Sequence, residues 1–295
     1  LIRHARISTP RTRNRNRSPV EPTVGRLHLI RQPRISTPCT RNRSGRVQPT
    51  NGRLYPGVHR HHTRTSVQWR FPAVEVSIAL SYPYPLVVFD LDGTLVDSAA
   101  DIAEALNRTL QDWQLPRVPE ATVLTWIGDG VRRLVEQAFT AADSDIDLDT
   151  VMPGFMQHYE ACLLRSPRLF DGVTETLAAL RERAVTLAIC TNKPSALVAP
   201  LLQHFGLQDQ FALVLGGDSL PERKPSGAPL RHIAAHFEVA VEAALMVGDS
   251  ITDYRAAVDA GMPVALVRYG YPRGLDLDNV EAVAVVDDLR ELLVL

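Results

Sequence analysis

The sequence predicts an α/β fold built on a parallel sheet, and three observations predict it. Leu86–Phe89 (LVVF) is a short run with no polar position, the composition of a strand buried on both faces. Further short apolar runs recur at 185–190, 212–216, Ala244–Gly248, Val264–Val267 and, with a weaker pattern, 282–286, and helical patterns lie between most of them. Asp90 and Asp92 follow the first run two positions apart, so on an extended backbone both carboxylates point the same way, at the strand end where open α/β sheets hold their ligands.

The chain opens on different material. Residues 1–83 carry 16 Arg, no Lys and only Glu21 and Glu75 as acids, net +14, while the remainder holds 16 basic and 31 acidic residues, net −15. This arm is a diverged tandem repeat: LIRHARISTP at Leu1 returns as LIRQPRISTP at Leu29, and VEPTVGRL at Val20 returns as VQPTNGRL at Val47. The copies are rich in Arg, Pro, Thr, Ser and Asn and lack the apolar spacing of a stacked core, so they read as a disordered extension. Three readings of its role stand side by side: a basic arm for nucleic acid, an Arg-rich organelle leader, or translated upstream DNA ahead of a misassigned start, the first Met being Met152.

Residues 84–98 and 167–295 read as the α/β core. Gly93 lets the chain turn sharply after Asp92, and Thr94 can hydrogen-bond within that turn. Residues 99–166 are helical and read as a separate small lobe. Ile102, Ala105, Leu106 and Leu110 share one helix face, Pro116 to Pro119 break the pattern, and Leu134, Val135, Ala138 and Phe139 resume it. A third helix carries Phe155, Met156, Tyr159 and Leu163. Re-entry to the core comes at LFDGV, with Asp171 expected to cap the next helix. Cys39, Cys162 and Cys190 form no spaced pair, which suits a reduced, cytoplasmic chain with Cys190 as a buried thiol, and no apolar run reaches the length of a membrane span.

The stretch DLDGTLVDS from Asp90 resembles the first signature of the haloacid dehalogenase superfamily, DxDGTxxDS. Three further matches follow in the expected order, CTNKP around Thr191, RKP around Lys224, and VGDSITD with Asp249 and Asp253. The resemblance covers about 85–295. It implies a doubly wound parallel sheet with an inserted helical cap at 99–166.

The same resemblance implies the roles of the site residues. Cleaving a phosphate monoester requires a positioned attacker and concentrated positive charge against a dianionic centre. Asp90 would be the nucleophile, forming an aspartyl-phosphate, and Asp92 the general acid and then base. Thr191 would donate its hydroxyl and Asn192 its backbone N–H to phosphate oxygens, and Lys224 would neutralise charge on phosphate and nucleophile. Asp249, with Asp90 and the backbone carbonyl of Asp92, offers a hard all-oxygen site suited to Mg²⁺. Asp253, one helical turn further on, reads either as support for that site or as an ordinary first-turn Asp on a helix dipole. Around Lys224 the usual KPxPxP pattern has Gly227 at its second Pro, which predicts a less rigid loop. His232 and His236 lack the Glu of a metal-binding HExxH and read as surface residues.

Within the superfamily, TNKP, GGDSLPERKP, VGDSITDYRAAVDAGMP and RYGYPRG resemble the phosphoglycolate phosphatases, as does TWIGDGVRRLV, similar to that family's WxGNGxxxLV loop. The resemblance implies 2-phosphoglycolate as substrate, with backbone N–H groups after Gly128, aided by Arg132 or Arg133, meeting the leaving group's carboxylate. Asp129 stands where Asn is usual, and a carboxylate there opposes an anionic ligand unless its side chain turns away to cap the helix, so Asp129→Asn is expected to equal or better the parent. A related phosphatase for a sugar phosphate or nucleotide is the alternative, and a nucleic-acid-binding protein using the Arg-rich arm is the rival from another class. The expected partner is a small phosphorylated metabolite, with no membrane and with a monomer or homodimer as assembly.

Overall fold

The computed structural model describes residues 82–295, and the readings made for residues 1–81, including the basic arm and Cys39, lie outside the described residues. The packed chain reaches back to Tyr82, which is 7% exposed and lies edge-on to Tyr84, two residues before the expected boundary.

The first strand, β1 (Leu86–Phe89), is buried at all four positions, as a strand without a polar face must be. The chain then makes a two-residue strand β2 (Val96–Asp97) and four helices: α1 (Ala99–Asp112), α2 (Glu120–Leu124), α3 (Val131–Ala141) and α4 (Leu148–Cys162). It returns through β3 (Arg168–Leu169), which pairs antiparallel with β2, so a short ribbon ties together the exit from the sheet and the way back. The rest alternates: α5 (Val173–Glu182), β4 (Thr186–Cys190), α6 (Ser195–His204), β5 (Leu213–Leu215), α7 (Ala228–His236), β6 (Ala244–Gly248), α8 (Ile251–Ala260), β7 (Val264–Val267) and β8 (Ala284–Val286).

Six strands form one sheet in the order β5-β4-β1-β6-β7-β8, every pair parallel. Chain order runs outward from β1 through β4 to β5 on one side, then restarts at β6 on the other. The strand order therefore reverses between β1 and β6, and such a switch point opens a crevice at the carboxyl ends of its two strands. The doubly wound sheet expected from the sequence is the one observed.

Because successive strand residues face opposite sides, β1 feeds two cores. Val87 and Phe89 join Leu187, Ile189, Leu245 and Val247 against Leu177 and Leu180 of α5 and Val198 and Leu201 of α6. Leu86 and Val88 join Ala188, Cys190 and Met246 against Leu230 and Ile233 of α7 and Ala256 and Ala257 of α8. Full burial contributes about 1.5–3 kcal/mol for each large aliphatic or Phe side chain, which is what holds the three layers together. The four helices of 99–166 bury a third cluster, which Leu197 and Tyr271 join from the core and which includes Leu106, Leu110, Val135, Phe139, Phe155 and Tyr159.

Several expectations change in detail. The helix α2 is an addition, too short to show a periodic face in the sequence. Asp171 does not cap α5: the cap position belongs to Gly172 in the left-handed region, which leaves Asp171 one residue too early and exposed. Gly227 is not a slack point. Its N–H donates to Asp259 at 2.6 Å, which a Pro could not do, and a β-carbon there would meet the Ala260 nitrogen at 2.4 Å. Cys190 is a free buried thiol whose pKa burial pushes up to about 12, and His232 and His236 are exposed, as expected.

Candidate active site

The switch-point crevice gathers the acidic residues. After β1 the backbone stays in register for one more residue, Asp90 N donating to Val247 O at 2.9 Å, and then folds back on the Leu91 carbonyl, which accepts from Leu95 N at 3.0 Å and Val96 N at 2.9 Å. Gly93 makes this turn possible. Its φ is +92°, and a β-carbon would lie 2.3 Å from Asp249 Oδ2, so both the dihedral and the close approach exclude a side chain. Asp249, at the end of β6, accepts from Thr94 Oγ1 through one oxygen and from Tyr271 N through the other, both at 2.7 Å.

Asp253 caps α8 and pairs with Lys224. One oxygen accepts from Ser250 N at 3.1 Å and Ser250 Oγ at 2.6 Å in a capping box at the start of α8, and the other accepts from Lys224 Nζ at 2.6 Å. Lys224 is 1% exposed, far from the solvated lysine that its loop context suggests, and its Nζ also lies 2.9 Å from Asp90 Oδ1. Burial alone would lower the Lys224 pKa, but Asp253 and Asp90 more than reverse this and hold the ammonium well above the usual lysine value. Burial, reinforced by mutual repulsion with Asp253, raises the carboxyls of Asp90 and Asp249 above the ordinary range.

A cavity beside this cluster is lined by Asp90, Asp92, Thr191, Asn192 and Lys193 from the strand ends, and by apolar side chains of the helical segment and its turns, Ile102, Ile127, Val131 and Leu134. Thr191 follows β4 and accepts from Lys193 N at 3.2 Å. The Asn192 amide donates to Gly128 O and to Lys224 O, both at 2.8 Å, and so ties the helical segment to the Lys224 loop. Asp92 Oδ1 accepts from Ser98 Oγ at 2.6 Å and from Lys193 Nζ at 2.9 Å. Lys193 Nζ also meets the hydroxyl of Tyr159, a side chain of α4 only 2% exposed.

Of the residues singled out in the sequence, Asp90, Asp92, Thr191, Asn192, Lys224, Asp249 and Asp253 converge here, and Gly128 lies in the cavity wall. Arg132 and Arg133 do not join them. Both are exposed and paired outward, Arg132 with Asp149 at 2.6 Å and Arg133 with Glu136 at 2.5 Å, because Val131 and Leu134 take the cavity-facing positions of α3. Asp129 neither caps α3 nor confronts the cavity with a free charge. It accepts from Thr252 Oγ1 at 2.8 Å and from Arg273 Nη1 at 2.7 Å, and the Arg273 guanidinium holds its pKa below the usual carboxylate value. The expectation that this carboxylate opposes an anionic ligand therefore falls.

Sequence reading missed Lys193, Tyr159, Ser98 and Arg273. Lys193 stood in the CTNKP run directly after two selected residues, and Arg273 in RYGYPRG, so a signal was present for both. Tyr159 carried none beyond its place on an apolar helix face.

The carboxylates fit a divalent cation. Oxygens of the buried carboxylates of Asp90, Asp249 and Asp253 lie within 4.8 Å of one another. A set of buried, all-oxygen acceptors is the environment that a hard cation relieves.

Residues 87–267 match the family model of the haloacid dehalogenase-like hydrolases. A phosphoglycolate phosphatase of Nitrosospira multiformis is 40% identical over 219 residues, spanning 72% of this chain and 96% of its own. One from Colwellia psychrerythraea is 38% identical over 215 residues, spanning 71% and 95%. The crystal structure of a predicted phosphoglycolate phosphatase from Haemophilus somnus 129pt has a TM-score of 0.68 at 37% identity, over 72% of this chain and 97% of the other.

Proposed function

The chain belongs to the haloacid dehalogenase-like hydrolases, and on that footing we propose that it hydrolyses 2-phosphoglycolate to glycolate and inorganic phosphate through an aspartyl-phosphate. The observation that carries this reading is the gathering of Asp90, Asp249, Asp253 and Lys224 around one buried point, with Asp92 beside it in the same cavity. An Asp90 oxygen attacks phosphorus and the bond to the glycolate oxygen breaks, while Asp92 gives that oxygen a proton. The Asp92 carboxylate then takes a proton from water, the water oxygen attacks phosphorus, and phosphate leaves with the Asp90 carboxylate restored. The Thr191 hydroxyl and Asn192 N–H hold the phosphoryl oxygens, and Lys224 offsets their charge. Asp90, Asp249 and the Asp92 carbonyl would hold Mg²⁺, which neutralises phosphate charge when bound; the oxygen donors support this ion over softer ones.

Residues 99–166 act as the cap over the leaving-group side, and 84–98 with 167–295 as the catalytic core. The names of the relatives support glycolate as leaving group. The accompanying reading is a cytoplasmic enzyme; among the described residues no helix is long and apolar enough to cross a membrane. The test is a substrate panel. We expect the highest kcat/KM for 2-phosphoglycolate against glucose 6-phosphate, ribose 5-phosphate and nucleoside monophosphates, and a tenfold preference for any of the others would overturn the substrate.

The Asp129 contacts reverse an earlier expectation. Asp129 lies in the cap, Thr252 on α8 and Arg273 in the loop that also supplies Tyr271 N to Asp249, so this cluster fastens the cap to the core near the cation site. A partly buried charged hydrogen bond contributes about 1–2 kcal/mol. Asp129→Asn is therefore expected to lower kcat/KM by roughly 5- to 30-fold, read in steady-state kinetics. An activity equal to the parent's would show that the cluster does not hold the cap.

A further inference from the structure

We propose that Lys193 is the receptor for the leaving group's carboxylate and so selects an anionic two-carbon leaving group over a neutral one of the same size. This deepens the phosphoglycolate reading and rests on it.

The other cations near the site are paired or lie outside the cavity. Lys224 is held between Asp90 and Asp253, Arg273 is paired with Asp129, Arg132 and Arg133 face outward, and Arg223, whose guanidinium approaches Gly130, is exposed. Among the described residues that line the cavity, Lys193 is the one that carries positive charge; the rest of the wall is apolar, neutral or acidic. An anionic leaving group entering beside Asp90 and Asp92 would meet the charge of the attacking Asp90 carboxylate and a surface of Ile102, Ile127, Val131 and Leu134 that cannot solvate it. A buried ammonium is what such a cavity needs to accept it.

Geometry points to the same side chain. In 2-phosphoglycolate a single methylene separates the ester oxygen from the carboxylate carbon. The group that protonates the ester oxygen must therefore stand beside the group that receives the carboxylate. Lys193 Nζ lies 2.9 Å from Asp92 Oδ1, and its side chain is fully buried. An ammonium has three N–H donors. Asp92 and the Tyr159 hydroxyl account for two of them, which leaves a third for a ligand. Tyr159, lodged in α4 against Phe155 at 5.6 Å between ring centroids, fixes the ammonium from the cap side, so the receptor is complete only with the helical segment in place over the strand ends.

The rival account makes Lys193 a positioning residue for Asp92 and nothing more. The two are separated by comparing 2-phosphoglycolate with ethyl phosphate, which has the same two-carbon leaving group without its carboxylate. The parent should favour 2-phosphoglycolate by at least tenfold in kcat/KM. Lys193→Met should lose on the order of 10- to 100-fold more on 2-phosphoglycolate than on ethyl phosphate, the range for a charged hydrogen bond, so that the preference collapses toward one. Lys193→Gln, which keeps a donor without the charge, should show the same collapse, and Lys193→Arg should retain the preference even where kcat falls. Inhibition by glycolate should weaken in parallel in the Met and Gln variants, and circular dichroism melts establish that each is folded. Equal losses on both esters, with the ratio unchanged, would overturn the receptor role while leaving the substrate standing. A parent with no preference for 2-phosphoglycolate would overturn both.

Discussion

Asp90→Asn is expected to reduce turnover to background and to leave no phosphoenzyme, because the amide has no oxyanion with which to attack phosphorus. Asp92→Asn should behave differently. It keeps the attacker and removes proton transfer, a loss typically of ~10² to 10⁴ in rate, larger for a poor leaving group such as glycolate than for an activated phenol ester. The two variants should also part in stability. Asp90 is buried beside Asp249 and Asp253, and burial raises its pKa, so its ionised form is a cost to the folded protein at neutral pH. The amide removes that charge while Lys224 retains Asp253 as a partner, and the melting temperature of Asp90→Asn in metal-free buffer should equal or exceed the parent's. Asp92→Asn instead strips Lys193 of its carboxylate and should melt lower. Full activity in either variant would reject the mechanism, and a marked drop in melting temperature for Asp90→Asn would reject the electrostatic account of the cluster.

What the sequence revealed followed from local rules. The apolar run of β1 and the i, i+2 spacing of Asp90 and Asp92 are properties of one strand and one turn, and the alternation of elements needed only composition and periodicity. The expected runs at Ala244–Gly248 and Val264–Val267 are the observed strands β6 and β7. Features that depend on contact between distant segments were not legible. Asp129 meets Arg273 across 144 positions and Lys193 meets Asp92 across 101, and no pattern in either segment announces the other. Lys224 shows why charge alone misleads: a lone Lys between prolines looks solvated, yet it is buried because Asp253 and Asp90 await it at the switch point. Arg132 and Arg133 erred in the opposite direction. They stand beside cavity-lining residues in the chain, but helical geometry turns them to the opposite face of α3.

Lys224→Met is expected to lower both stability and turnover, and a second substitution at Asp253 should separate the two. The buried ammonium is the shared counter-ion of Asp90 and Asp253, and removing one partner of a buried pair typically costs about 3–5 kcal/mol because the carboxylates are left uncompensated. For a domain of this size each kcal/mol shifts the melting temperature by roughly 2–4 °C, so a fall of roughly 6–20 °C is expected. Turnover should fall by on the order of 10² to 10³, the scale for losing one preorganised group that stabilises transition-state charge. Adding Asp253→Asn to Lys224→Met removes the stranded charge and should recover part of the stability, since the amide can still accept from Ser250 in the capping box. It should recover none of the activity, because the charge facing phosphate is still missing. The double-mutant cycle reads this directly as a coupling between positions 224 and 253 in stability. Additive losses in the melts would mean that Lys224 stabilises by packing alone, and parental activity in Lys224→Met would remove it from the phosphate site.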